Sequence, residues 1–549
     1  MMDKRTIVIM VVCLLILVGG NYVANWIFPP IPKRPTPATP THAVSNVVTT
    51  VAAATATATN EPTVSSPAPS TTPAERPPEQ IVALSNDYLR VEFTSWGGGI
   101  RKVELLRHKA NGHGHVVLNA DAPAPALGLT GLPGADTNAV FTLEPSSPTT
   151  MVMRAGQVTK TVSLGKDYLL DARIEGVNAS SASVVVGTVG PTFAKEPPLY
   201  LNVDWQDGPK WNNRDLNVVT KRAGKGQNRE PIHARWVAVK SQYFAMVLTG
   251  ATNATAVTYA PVVLPPLADW KAKEPPHGVT ALAQWPTSVG GVLTFQLYAG
   301  PKEYDRLAAL GERQQEVMDF GSWMDAYSGL FGLALFKGMA WCHKLAPNYG
   351  VAIILVTILL KIIFWPIQAK SIQAMKDMQK FQPQMQKIRE KFKDDPQRMN
   401  QEMMKLYKEH KINPFSGCLP MLVQLPVLFG FYKVLSNAIE LRGVPFLWIK
   451  DLSQPDTVAT IAGFAINPLP VVMTLTMIWQ QKLTPSTGDA QQQKMMMFMP
   501  LIMLFFFYST ASGLVLYWTA QQFLSIGQQW WSMRQTTPPA PAPAPKAKK

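Results

Sequence analysis

Residues 349–366 read Tyr-Gly-Val-Ala-Ile-Ile-Leu-Val-Thr-Ile-Leu-Leu-Lys-Ile-Ile-Phe-Trp-Pro, an apolar run broken by one cation, Lys361. Such a run has few places to go. About 20 apolar residues in a helix cross a bilayer, and a charge inside a span costs roughly 2.5–3.5 kcal/mol on insertion scales. The charge is kept where it reaches an interface, a partner or a wet cavity. Thr357 lies one turn earlier on the same face, because positions four apart stack on a helix. Lys361 also lies close to the Trp365-Pro366 boundary, about 7.5 Å of helical rise away, within reach of a side chain that snorkels to the interface. On this run alone both readings stay open.

Composition blends two unlike halves, so the overall hydrophobic share of 47% describes neither. A net charge of +15 suits nucleic acid or an anionic membrane face, and its distribution beside apolar segments favours the membrane. Cys13, Cys342 and Cys418 all sit in or next to apolar segments, so the polar half has no disulfide framework. Lys4-Arg5 precedes the apolar stretch 7–28, and no small-x-small cleavage site occurs around Tyr22, Val23 and Ala24; residues 1–28 are expected to be an uncleaved anchor with a cytoplasmic N-terminus. Val12 before Cys13 argues against lipidation. Residues 29–79, rich in Pro, Thr, Ala and Ser, hold too little apolar surface for a core and read as a linker.

Leu89, Val91 and Phe93 alternate with Arg90, Glu92 and Thr94 before Trp96-Gly97-Gly98-Gly99, the period of a half-buried strand ending in a turn. Similar runs at 161–164, 168–174, 183–189 and 292–298 predict an antiparallel β sandwich over 80–318, closed by a helical connector at 303–318. His108, His113 and His115 invite a metal reading, but with no cysteine or flanking carboxylate a solvated polar loop is expected. No phosphate-binding Gly loop, Gly-x-Ser-x-Gly elbow or His-Glu-x-x-His occurs, so an enzyme is not expected.

Residues 319–346 contain a short apolar helix with Lys337, His343 and Lys344, expected to lie in the outer interface, with a core helix as the alternative. After the span 349–365, the segment 367–415 carries eleven basic residues against six acidic ones and belongs in the cytoplasm. Its apolar residues recur at three and four, and Asp394-Asp395-Pro396 divides them, predicting an antiparallel helical hairpin. The Met-rich seam fits either hairpin core or an adaptable docking surface. A span at 417–439, two short candidates at 468–481 and 495–509, and a last span at 514–531 complete six spans, with a basic tail at 534–549 returning both termini to the cytoplasm. On the last span Trp518, Gln522, Ser525 and Gln529 form a polar stripe. Such groups serve as glue between helices. Here they lie among bulky Met, Phe and Trp, which points instead to a wet groove.

The run 413–426, Asn-Pro-Phe-Ser-Gly-Cys-Leu-Pro-Met-Leu-Val-Gln-Leu-Pro, together with Gln481-Lys482-Leu483-Thr484-Pro485, Gln493-Lys494-Met495, Phe498-Met499-Pro500 and Ser512-Gly513-Leu514-Val515-Leu516-Tyr517-Trp518, resembles the YidC/Oxa/Alb family of membrane protein insertases. The resemblance covers about 330–533, and the anchor and β domain before it resemble the long Gram-negative-type form. It implies a multi-domain inner-membrane protein: an anchor, a periplasmic β supersandwich that is largely dispensable for insertion, and a five-helix insertase core at 347–533. It places a substrate groove at Lys361, Thr357, Gln481 and Trp518, where most members have Arg in the position of Lys361, and Lys keeps the charge but loses the bidentate fork; the polar residues Gln424, Tyr517 and Gln522 are expected to line the same groove. Implied partners are nascent membrane-protein chains, the lipid bilayer, the Sec translocon, and ribosomes and signal-recognition machinery at the hairpin and tail. No cofactor is implied. Two other classes remain: a secondary transporter using Lys361 as its site, for which no repeated halves are visible, and an anchored carbohydrate-binding module, for which six spans are excessive.

Overall fold

The structure is a computed structural model that describes residues 77–110, 114–193, 196–208, 210–267, 270, 272–320, 328–393, 395–410, 419–461, 464–483 and 490–534. The expected anchor, most of the linker, Cys13, His113, Cys418 and the basic tail lie outside these residues.

The β domain opens with a four-stranded meander, β1 (Ile81–Ser85), β2 (Leu89–Thr94), β3 (Gly99–Lys109) and β4 (His115–Leu118), each antiparallel to the next. In β2 the alternation works as expected: Leu89, Val91 and Phe93 are buried and Arg90 is exposed. The turn into β3 needs glycine at Gly98, which has φ +52° and would bring a Cβ within 2.3 Å of the Phe141 ring. A second, twelve-stranded sheet follows. Its longest strand, Phe244–Val263, pairs with Leu293–Pro301 through its first residues and with His277–Pro286 through its last. The sheet therefore branches midway along one strand, which is how a sandwich turns a corner without breaking the chain. The antiparallel sandwich expected from the sequence is present.

Two expectations in this half are corrected. His108 and His115 are not in a solvated loop: both lie in strands, because β3 runs on to Lys109 and re-pairs with His115. His108 meets the Tyr168 hydroxyl at 3.0 Å, and burial, with Arg442 and Arg306 nearby, pushes its pKa down to about 4; His115 lies 3.0 Å from Glu104. Among the described residues no group of metal-ligating side chains occurs. The connector is not one helix but two pieces. A helical turn, Tyr304–Ala309, and a 3-10 turn, Gln314–Met318, are separated by left-handed backbone at Gly311, Glu312 and Arg313.

Taking helices in chain order, α1 (Leu216–Ala223) lies between strands, capped by the Asp215 carboxylate, and α2 is the turn Tyr304–Ala309. Then come α3 (Ser328–Leu345), α4 (Tyr349–Lys380), α5 (Gln382–Lys391), α6 (Pro396–Glu409), α7 (Leu419–Asn437), α8 (Pro468–Leu483), α9 (Ala490–Phe507) and α10 (Ser512–Arg534). α3 packs on α4 and α7 with Leu335, Phe336, Met339 and Cys342 buried, and leaves Trp341 and Leu345 exposed. α4 corrects another expectation: it does not stop at Pro366 but continues to Lys380. The apolar-to-charged boundary there is a change of composition rather than of secondary structure. A second break falls at Phe381, ahead of Pro383. The hairpin has its own small core of Met378, Met385, Met403 and Leu406, separate from the main one, and Asp395 accepts from the Arg398 N–H where the second arm begins.

Among the described residues one segment, Tyr349–Ala374, is by itself long and apolar enough to cross a membrane; Met497–Phe507 is a shorter apolar helix. α8 has 16 residues, about 24 Å of rise against a hydrocarbon core of about 30 Å. The helices taken singly do not yield the six-span count, because prolines and polar residues dilute the later segments.

Candidate functional site

Lys361 sits four residues after Thr357 on α4, and both side chains are covered, Lys361 being 5% exposed. Its ammonium donates to Ser525 Oγ on α10 at 2.8 Å. The Ser525 hydroxyl in turn donates to the Gln521 carbonyl one turn back, at 2.8 Å. The Gln521 amide donates to Gln424 Oε1 on α7 at 3.2 Å, and the Gln424 amide donates to the Tyr517 hydroxyl at 3.1 Å. A ladder of polar groups thus joins three helices. It rests on geometry that α10 supplies, since Tyr517, Gln521 and Ser525 are spaced four apart and share one face. Tyr517 is held from the other side by stacking on Phe431, centroids 4.0 Å apart.

The other expected residues are placed differently. Thr357 turns its hydroxyl back onto the Ile353 carbonyl at 2.7 Å, so its donor is used within its own helix. Trp518 lies against Phe507 at 5.7 Å, and its indole N–H is buried with no acceptor among the described residues. Gln522 is half-buried on the neighbouring face of α10, and Gln481 is half-buried near the end of α8. The ladder therefore unites Lys361, Gln424 and Tyr517 and leaves Thr357, Trp518, Gln522 and Gln481 beside it. Gln521 was not expected. Its signal was the i, i+4, i+8 spacing with Tyr517 and Ser525, which competes with the stripe through Trp518 and Gln522 and shares Ser525 with it.

The electrostatic feature of the site is what Lys361 lacks. Among the described residues no carboxylate pairs with it, and one serine hydroxyl meets an ammonium that can donate three hydrogen bonds.

Residues 341–539 match the family model described as 60Kd inner membrane protein, and residues 81–328 match the YidC periplasmic domain. The membrane protein insertase YidC of Syntrophus aciditrophicus is 43% identical over 251 residues, 46% of this chain and 44% of that relative; the match spans less than half of the relative's length. The membrane protein insertase YidC of Geobacter sulfurreducens is 33% identical over 476 residues, 81% of this chain and 84% of its own. A crystal structure of an active YidC insertase with its first transmembrane domain resolved aligns over 83% of this chain and 92% of its own, at 18% identity and a TM-score of 0.36. With the Geobacter relative matched at that identity over most of both chains, and with two adjoining family models covering the β domain and the helices, the chain belongs to the YidC family.

Proposed function

We propose that the chain is a membrane protein insertase and chaperone of the bacterial inner membrane, acting on nascent membrane-protein chains through a cationic polar groove at Lys361. The lysine-anchored ladder across α4, α7 and α10 carries the reading, because it places one unneutralised cation among neutral hydrogen-bonding groups inside an apolar bundle. Such a site attracts the acidic, hydrophilic end of a client, while the short α8 lowers the distance that end must cross. The buried indole N–H of Trp518, with no acceptor among the described residues, would be a further donor once the helices part. Because Lys361 is covered, client access requires α7 and α10 to part, after which the apolar part of the client moves into lipid along the groove wall.

In this reading the protein is multi-pass, with six spans, both termini in the cytoplasm and the β domain in the periplasm. The hairpin of α5 and α6 and the basic tail face ribosomes and signal-recognition machinery, and the Sec translocon is a partner. The chemistry is transfer without bond making, so no catalytic residue or cofactor is assigned. Proteoliposomes carrying the purified protein should insert a single-span client with an acidic translocated end, and empty liposomes should not; equal insertion by both would refute the activity.

A further inference from the structure

We propose that the β domain caps the C-terminal end of α7 from outside, and that Lys302 and Gln242 are positioning residues that set where this helix, and with it Gln424, stands in the bundle. A helix leaves its last four carbonyls without intrahelical donors and carries partial negative charge at that end. At α7 one of these carbonyls, that of Ser436, and the side chain of the last residue, Asn437, are met by another domain. The Gln242 side-chain amide donates to the Ser436 carbonyl at 2.6 Å, and the Lys302 ammonium donates to Asn437 Oδ1 at 3.3 Å. Asn437 itself donates back to the Lys433 carbonyl at 3.0 Å. Lys433 pairs with Asp319 at 3.1 Å, and Tyr432 meets Tyr200 hydroxyl to hydroxyl at 3.3 Å. Ser436, Asn437, Gln242 and Lys302 are all buried, so none of these bonds is exchanged freely for water.

Both capping residues are fixed from behind. The Gln242 backbone N–H donates to Glu196 Oε1 at 2.5 Å, and Glu196 is anchored by the Thr192 N–H and hydroxyl. The Lys302 N–H donates to the Tyr243 carbonyl at 2.7 Å, so both caps grow from the short segment 241–244 and the strand end beside it. The Arg442 guanidinium, just past α7, lies over the rings of Tyr243 and Phe244. Gln424 is twelve residues upstream of Ser436 on the same helix, about 18 Å of rise with Pro426 between them, so a shift at the capped end reaches the ladder through that proline. The consequence for clients rests on the groove reading above, whereas the cap itself does not.

The test uses the full-length protein in nanodiscs, with Cys13, Cys342 and Cys418 replaced. Lys302→Met, Gln242→Leu and Asn437→Leu are each compared with Asn437→Asp, which keeps an acceptor for Lys302. Amide exchange is read along α7 and in the β-domain strands, and cross-linking by a short bifunctional thiol reagent is read between cysteines placed at 424 and 521. The expected result is about tenfold faster exchange in the last turns of α7 and at least a threefold drop in cross-linking for the three disruptive variants, with strand protection kept and Asn437→Asp, which keeps the acceptor for Lys302 but loses the donor to the Lys433 carbonyl, falling between the parent and Asn437→Leu. Unchanged exchange and cross-linking in Asn437→Leu would overturn the cap. Loss of strand protection in Asn437→Leu, a residue outside the β domain, would also overturn it, making the contact a determinant of domain stability rather than of helix position. Normal exchange and cross-linking changes with unaltered client insertion would leave the cap standing and remove only its link to the groove.

Discussion

The two halves of the molecule bury cations in opposite ways. In the β domain, Lys160 is fully buried and donates to three backbone carbonyls, those of Gly97 at 3.0 Å, Gly98 at 2.7 Å and Leu127 at 3.0 Å, with the Phe141 ring 4.6 Å away. Lys240, equally buried, is paired with Asp204 at 2.6 Å. In the helical half Lys361 meets one serine among the described residues. The first two are held by several partners each and tie strands and loops together, whereas the third has one hydrogen bond among the described residues. A buried lysine is thus not a functional signal in itself, and Lys302, buried with Asn437 as its side-chain partner, shows that a low count of partners is not one either.

The largest effect expected from this contrast is in the β domain. Lys160→Met strands three buried carbonyls at about 1 kcal/mol or more each, so urea unfolding should show a loss of at least about 3 kcal/mol. Protein that remains folded should still insert clients. A variant of normal stability would show that the three bonds contribute little, and the contrast would lose its structural arm.

pH should sharpen the same point. Burial pushes Lys160 from 10.5 down to about 7, and Lys302 likewise to about 7, with Lys240 adding repulsion there. Between about pH 7 and 10 the unfolded chain therefore holds protons that the folded chain lacks, and stability rises with pH, by up to about tenfold in the folding equilibrium per unit for each group. Urea midpoints measured at pH 7 and pH 9 should rise, and Lys160→Met should flatten part of that slope. A midpoint that falls over this range would contradict the assignment of these lysines as groups whose charged form burial disfavours, at Lys302 against the opposing pull of Asp319, Asp204 and Glu196.

Smaller effects are expected within the ladder. Ser525→Ala and Gln521→Leu each remove one interhelical bond, worth about 0.6 kcal/mol on average in membranes, so thermal stability should barely move while insertion of acidic clients drops severalfold. The separate core of the hairpin makes a further, local contrast: amide exchange in α5 and α6 should be faster than in α4 residues 349–365, and equal protection would mean that the hairpin is docked.

Much of the β domain was legible because alternating Leu89, Val91 and Phe93 have one physical explanation, a sheet with one buried face. His108 was not, because a strand that outlasts its apolar alternation looks like a loop, and its partners Tyr168 and Phe244 are remote in sequence. On α4 the charge boundary at Pro366 imitated a helix end. On α10 two faces competed for the polar stripe; only packing against Gln424 and Lys361 selects the one through Tyr517, Gln521 and Ser525. The contact between the β domain and α7 left no local trace, since Gln242 and Ser436 are 194 residues apart.

The most direct test of the central claim, that Lys361 is a cation held in reserve for acidic client segments, is insertion into proteoliposomes of two matched single-span clients, one with an acidic translocated end and one with a neutral end. Lys361→Arg should insert both at near-parent rates, whereas Lys361→Met should lose about tenfold on the acidic client and markedly less on the neutral one, as attraction inside a groove is only partly screened. Equal activity of Lys361→Met on both clients would contradict the claim and leave Lys361 as a side chain that merely reaches for the membrane interface.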